Sequence, residues 1–358
     1  MKLSHVVRLV IATFVLVAAS CAAQKAQPPN PTPMLPPLVS PLETPRPVTL
    51  RIGIALGGGA ARGFAHIGVI KMLEANGLTP DVVAGTSAGS LVGALYAGGM
   101  DVFSLQQRAV ALDETSIRDV SLFSGGLIKG ERLQDYVNES LGQRPFKRLR
   151  KPFAVVATRL DDGARTVFVH GNVGQAVRAS CSIPGVFAPM RIGERTFVDG
   201  GLVSPVPVDA ARELGADFVI AVDISSKANG QKPENLLGIV NQSITIMGQK
   251  LGAQELARAD VVIRPNVNAI GAVEFEQRSN AIIEGEKAAL QALPQIRAKL
   301  ALLREARVTA EAARVARVRE DRLARERAMR SADPPCESQG LLGGWFGGKG
   351  ECQPTTSR

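Results

Sequence analysis

The chain has 358 residues, 45% of them hydrophobic, with one Trp, two Tyr and a formal net charge of +9. That length can bury one large core and still leave extensions at both ends. The four cysteines (Cys21, Cys181, Cys336, Cys352) form no C-x-x-C pair, and no basic stretch is interleaved with aromatics. These absences exclude zinc-finger and thioredoxin-like chemistry and give no support to a nucleic-acid partner.

Residues 1–20 begin with Lys2 and Arg8, continue through an apolar run from Leu9 to Val17 and end in small residues. This is the make-up of a secretory signal and is too short for a membrane span. Val17-Ala18-Ala19-Ser20-Cys21 resembles the lipobox of bacterial lipoproteins, with Ala18 where leucine is usual. The resemblance implies cleavage before Cys21 and a lipid on its sulfur. The alternative is an ordinary signal cleaved near Ala19 or Ala23. Ala22 is not the Asp of inner-membrane retention, so the expected place is the outer membrane of a bacterial envelope, facing the periplasm. Residues 21–47 carry Pro28-Pro29, Pro31, Pro33, Pro36-Pro37, Pro41, Pro45 and Pro47. Proline denies helix and ladder hydrogen bonds, so this segment reads as an extended tether.

A catalytic domain is expected over 48–302. Val48–Leu56 reads as a strand and ends in Gly57-Gly58-Gly59-Ala60-Ala61-Arg62-Gly63, with a helix from Phe64 to Glu74. Successive glycines let several N–H groups point into one concavity. Such a nest binds a phosphate or serves as an oxyanion hole. Arg62 breaks the G-x-G-x-x-G spacing, and Phe64-Ala65 stand where a P-loop needs Lys-Ser. An oxyanion hole fits a serine one strand later. Arg62 either steadies the loop, attracts an anionic head group or is a surface residue.

That serine is Ser87. Val82–Ala84 reads as a buried strand passing through Gly85-Thr86-Ser87-Ala88-Gly89 into a helix that runs to Ala97 and stops at Gly98-Gly99. The sharp turn places the hydroxyl at a helix N-terminus, where developing negative charge is favoured. Alone, the motif recurs by chance in glycine-rich chains. Helices are predicted over Met100–Leu112 and Glu131–Leu141. Between them, the apolar, glycine-broken 120–128 stretch reads as a lid or a buried connector. Phe153–Thr158 and Arg165–Val169 read as a hairpin around Asp161-Asp162-Gly163, whose paired carboxylates are turn residues rather than metal ligands. Arg195–Val198 is a strand leading to Asp199-Gly200-Gly201. On its own Asp199 reads as a turn former. Then come a helix (Val208–Leu214) and an apolar central strand (Phe218–Val222) ended by Asp223, an alternative acid. A helix (Leu236–Ala257), a strand (Val261–Arg264) and a helix (Asn280–Leu302) follow. Strands alternating with helices predict an α/β fold with a mainly parallel central sheet flanked by helices. Of the histidines, His5 lies in the signal, His66 reads as packing or capping, and His170 has the best position for a triad. All three precede Asp199, against the usual Ser, acid, His order. Cys181 reads as a buried free thiol.

Three blocks in order, Gly57 to Gly63, Gly85 to Gly89 and Asp199 to Gly201, together with Ala179 to Pro189, resemble the patatin-like phospholipases over roughly residues 50–265. The resemblance implies a three-layer patatin-like fold and a Ser–Asp dyad, with Ser87 as nucleophile and Asp199 as base. It implies an oxyanion hole from the N–H groups of Gly57, Gly58, Gly59 and Ala88, with Arg62 in the same loop. It requires no metal or cofactor, and implies phospholipid or lysophospholipid substrates met at a membrane. The residues themselves support only an acyl ester. A short-chain esterase or thioesterase, and a non-catalytic lipid-binding lipoprotein that keeps the fold, are the alternatives.

Residues 303–358 form a basic tail. Arg304–Arg330 reads as a helix with sparse apolar residues (Val308, Val315, Val318, Leu323, Met329), either solvated or lying on anionic lipid. Cys336 and Cys352 enclose a glycine-rich stretch with Trp345-Phe346 and can pair in an oxidising periplasm.

Overall fold

Among the described residues, eight short strands form the centre of the protein: β1 (Ile52–Leu56), β2 (Val82–Thr86), β3 (Phe153–Arg159), β4 (Arg165–Phe168), β5 (Met190–Ile192), β6 (Arg195–Asp199), β7 (Phe218–Val222) and β8 (Val261–Ile263); β1, β7 and β8 are apolar along their whole length. The computed structural model describes residues 44–111, 128–227 and 236–331. The signal, Cys21, most of the tether, the 120–127 stretch and the Cys336–Cys352 loop lie outside the described residues. Among the described residues, no helix is long and apolar enough to cross a membrane.

The strands make one sheet in the order β5-β6-β3-β2-β1-β7-β8, with β4 also paired to β3. Strands β3, β2, β1, β7 and β8 run parallel, whereas β4, β5 and β6 are antiparallel additions on the β3 side. Parallel strands are covered on both faces, so they read as continuous apolar runs. The two faces differ in side-chain size. Ile54, Leu56, Val83, Phe153, Val155 and Ile220 share a core with α1 (Ala65–Ala75), α2 (Ala88–Ala97), α3 (Val102–Ala111), α4 (Glu131–Ser140) and α5 (Val173–Ser180). The opposite face presents Ala55, Ala84, Ala154 and Ala221 to α6 (Val208–Glu213) and to Leu256 at the end of α7 (Leu236–Leu256). The result is three layers, helix on sheet on helix.

Strand β3 is shared lengthwise. Its first residues pair with β2, as far as Thr86 opposite Val156. Its next residues pair with β6, beginning with Asp199 opposite Ala157. Strand β4 occupies the other edge over Val155–Thr158, so β2 and β6 meet end to end along one side of β3. The residue that follows Thr86 therefore arrives beside Asp199. Positions 112 apart in sequence are brought together by register alone.

The predicted elements differ from the observed ones in three places. The first strand starts at Ile52 rather than Val48. Helix α5 and strand β5 fall in a stretch read without elements. The helices expected at Asn280–Leu302 and Arg304–Arg330 are one helix, α8 (Arg278–Ser331), which takes Pro294 in its stride. Its buried residues, Ala281, Ile282, Ala289, Leu293, Ile296 and Leu300, form a stripe at helical spacing that stops where the tail was placed. There α8 crosses α1 at a distance only glycine permits: a methyl at Gly68 would lie 2.0 Å from Ile282 O, and one at Gly285 would lie 2.0 Å from Ala65 O. The chain divides into two compact units, Pro45–Ala316 and a second made of its two ends. The described residues of the second are Thr44 and the last turns of α8.

Candidate active site

The strand-to-helix turn between β2 and α2 is built by glycines on both sides of Ser87. A methyl at Gly85 would lie 2.5 Å from Gly89 O, and one at Gly89 would lie 2.1 Å from Leu56 O. Both positions exclude any side chain, and this lets α2 begin directly against the sheet. Ser87 takes φ 51° and ψ −125°. For a residue with a Cβ this is strained backbone of the kind found at reactive centres. Several bonds hold the turn in place. Ser87 N–H donates to Ser180 Oγ at 2.8 Å, and that hydroxyl donates to Val156 O at 2.5 Å. Ser90 Oγ donates to Ser87 O at 2.7 Å.

Ser87 Oγ donates to Asp199 Oδ2 at 2.5 Å. Asp199 is held through its side chain and its backbone. Asp199 Oδ1 accepts from Gly201 N–H at 2.7 Å, Asp199 N–H donates to Ser182 O at 2.9 Å, and Thr158 Oγ1 donates to Asp199 O at 2.8 Å. Ser87 and Asp199 are both buried. Burial pushes the Asp199 carboxyl up to about 6, against the lowering effect of its bonds from Ser87 and Gly201. A carboxyl in that range is still ionised at neutral pH and is a better proton acceptor than a solvated one.

The glycine loop lies against Ser87. A methyl on Gly58 would sit 3.2 Å from Ser87 Cβ, and one on Gly63 would sit 2.7 Å from Ala88 Cβ. The expected set of oxyanion donors needs correction here. Gly57 N–H is spent on Val222 O at 3.1 Å and Gly58 N–H on Pro205 O at 3.0 Å. Both amides therefore hold the loop to the scaffold. The amides without an acceptor among the described residues are those of Gly59 and Ala60 in the loop and of Ala88 and Gly89 at the start of α2. Ala60 has φ 51°, a second strained residue beside the first. Arg62 is buried and donates through Nε to Gly59 O at 3.1 Å. It ties the loop together, as one of its expected roles required.

The other candidates fall outside the chemistry. His66 is fully buried and donates through Nε2 to Gly57 O at 2.8 Å, and burial pushes its pKa down to about 4. It is a neutral brace beneath the loop. His170 is an exposed turn residue. Asp223 accepts from Ser225 and Arg264 rather than from Ser87. Asp161 and Asp162 are bound by Arg159. Cys181 is buried with Sγ 3.9 Å from Ser90 Oγ, and burial, reinforced by the charge of Asp199, pushes its thiol up to about 12. A thiol so far above neutral stays protonated and is no nucleophile.

Residues 54–212 match the family model of patatin-like phospholipases. That stretch of the chain is a patatin-like phospholipase domain. An uncharacterised NTE family protein of Mycobacterium tuberculosis is 37% identical over 186 residues, covering 50% of this chain and 51% of that protein. The chain thus spans about half the length of the curated relatives it matches. A lysophospholipase, NTE1, of Pyricularia oryzae is 28% identical over 283 residues, covering 70% of this chain and 19% of the relative. Among solved structures, VipD from Legionella pneumophila aligns with a TM-score of 0.45 at 16% identity, covering 70% of this chain and 67% of VipD.

Sequence reasoning missed three residues of the patatin-like site. Ser180 stands within the segment Ala179 to Pro189 that carried the resemblance, but its bond to the Ser87 amide has no sequence signature. Thr158 and Ser204 are buried hydroxyls on neighbouring elements, and nothing local marks them.

Proposed function

We propose that the chain is a serine acyl hydrolase acting on lipid acyl esters, phospholipid or lysophospholipid, at a bacterial envelope membrane. The single observation that carries this reading is the 2.5 Å bond from the Ser87 hydroxyl to a buried carboxyl raised to about 6. Asp199 takes the proton as Ser87 Oγ attacks the ester carbonyl. The oxyanion is stabilised by the amide of Gly59 in the glycine loop and that of Ala88 at the N-terminus of α2, neither of which has an acceptor among the described residues. The proton then passes from Asp199 to the departing alcohol oxygen, leaving an acyl-serine. Water, losing its proton to Asp199, attacks that ester and releases the fatty acid, and the proton returns to Ser87. Every step uses groups of this chain and water.

The substrate class is supported by the patatin-like domain at residues 54–212 and by the name of the Pyricularia relative. The envelope location follows from the lipobox-like sequence ending at Cys21. The test is release of fatty acid from lysophosphatidylcholine by the purified protein and by Ser87→Ala. The proposal requires turnover by the former and none above background by the latter. Equal release by both contradicts it.

A further inference from the structure

A second buried carboxyl stands behind the dyad and takes no part in the steps above. Glu255, near the end of α7, is 5% exposed. Its Oε1 accepts from Ser204 Oγ at 2.5 Å and its Oε2 accepts from Val206 N–H at 2.9 Å. The charged groups that face it are Asp209 on α6 and Arg258 just past α7. Those two are joined to each other by paired bonds of 2.8 and 2.7 Å. Glu255 thus directs both oxygens to one three-residue segment, Ser204-Pro205-Val206.

That segment touches both halves of the site through its carbonyls. Ser204 O accepts from Thr86 Oγ1, the residue before the nucleophile, at 2.8 Å. Pro205 O accepts from Gly58 N–H at 3.0 Å. Pro205 has no N–H of its own, so its peptide is held through its neighbours, and both neighbours are held by Glu255. One of the bonds that anchor the glycine loop, Gly58 to Pro205, is therefore braced by the Glu255 carboxyl.

We propose that Glu255 is a positioning residue of the reaction: by clamping Ser204 and Val206 it fixes Pro205 O, and through it the loop whose free Gly59 amide meets the oxyanion. The inference rests on the hydrolase reading above. The amide acts on charge that appears only in the transition state. A loosened loop therefore lowers kcat and leaves KM nearly alone.

The experiment compares the full chain with Glu255→Ala, Glu255→Gln and Ser204→Ala on a p-nitrophenyl ester. Rates are normalised to sites titrated with a fluorophosphonate, and the affinity for a trifluoromethyl ketone is measured alongside. Glu255→Ala is expected to cut kcat about tenfold or more and to weaken the ketone by a similar factor, with KM within about threefold. In Glu255→Gln the side-chain oxygen still accepts from Val206 and the amide nitrogen donates to a turned Ser204 hydroxyl. This variant recovers to within about threefold of wild type. An unchanged kcat in Glu255→Ala, a rise in KM at constant kcat, or a Gln variant no better than Ala overturns the assignment. If Glu255→Ala does not fold, Ser204→Ala decides, because it keeps the carboxyl and the Val206 bond. It is expected to lower kcat and ketone affinity together at constant KM, and an unchanged kcat overturns the assignment. Wild type as inert as Ser87→Ala would overturn the hydrolase reading and this one with it. Active wild type with unaffected variants overturns this one alone.

Discussion

At the scale of single residues, the site depends on one carboxyl being both buried and ionisable near neutral pH. A free Asp titrates near ~3.9, well below any plausible working pH, and is a poor acceptor for a serine proton. In the fold, burial raises Asp199 to about 6, and the sign of that shift fixes the pH response. In the proposed mechanism the ionised form is the base, and it is lost as pH falls through the raised value. Turnover per enzyme is therefore expected to drop about tenfold between pH 7 and pH 5, as a single group. A pH–rate profile of kcat/KM on a soluble ester checks this. Activity that holds down to about pH 4 would mean that an ordinary, solvated carboxylate is at work. Asp199 was legible as a candidate base only through the three blocks that carry the resemblance; alone, an Asp at the end of a short strand before two glycines reads as a turn former. Its raised pKa was legible only as a requirement. Burial is a property of the neighbours, Ser182, Thr158 and the end of β2, which come from distant parts of the chain.

At the scale of elements, the strand-to-helix turn is a packing device before it is a chemical one. Gly89 lets the first turn of α2 touch the end of β1, since an added methyl there meets Leu56 O at 2.1 Å. Gly89→Ala is expected to destabilise the protein by about 1–3 kcal/mol through overpacking alone. Gly248, in α7, has open space around the same added methyl. Gly248→Ala is expected to leave stability unchanged or raise it by up to ~1 kcal/mol, because alanine is the better helix former. Thermal unfolding of the two variants checks the pair, and equal melting temperatures would contradict the packing account. The apolar strands were legible from composition because parallel strands are covered on both faces. Helix α5 was not. Gly174 sits inside it and reads as a breaker. In the fold it is a contact point, where a methyl would lie 2.4 Å from Gln134 O on α4. The cap that starts this helix, Asn172 accepting from Gln175 N–H at 2.8 Å, was the available signal. Strand β5, three residues long, exists only because β6 is there to pair with it.

At the scale of the whole molecule, the sheet of Pro45–Ala316 carries the candidate site, and the proposal reads the sequence N-terminal to it as an address. In that proposal the mature chain begins at Cys21 with a lipid on its sulfur, followed by the proline-rich tether. Expressed in a bacterium with an outer membrane, the protein is expected to partition into detergent and to sediment with membranes, and Cys21→Ser to lose both properties. Equal partitioning of the two would contradict the anchor. The end of the catalytic domain was placed at 302 because the apolar stripe of α8 stops there, whereas the helix itself runs on to Ser331. Periodicity reports what is packed, not what is helical.

The central claim is that the hydroxyl of Ser87 is the nucleophile and that Asp199 activates it. Fluorophosphonate labelling followed by peptide mass mapping tests both parts at once. The account predicts one adduct, on the peptide carrying Ser87, and a labelling rate at least about a hundredfold slower in Asp199→Asn. An adduct on another residue, or an Asp199→Asn variant labelled as fast as wild type, would contradict it.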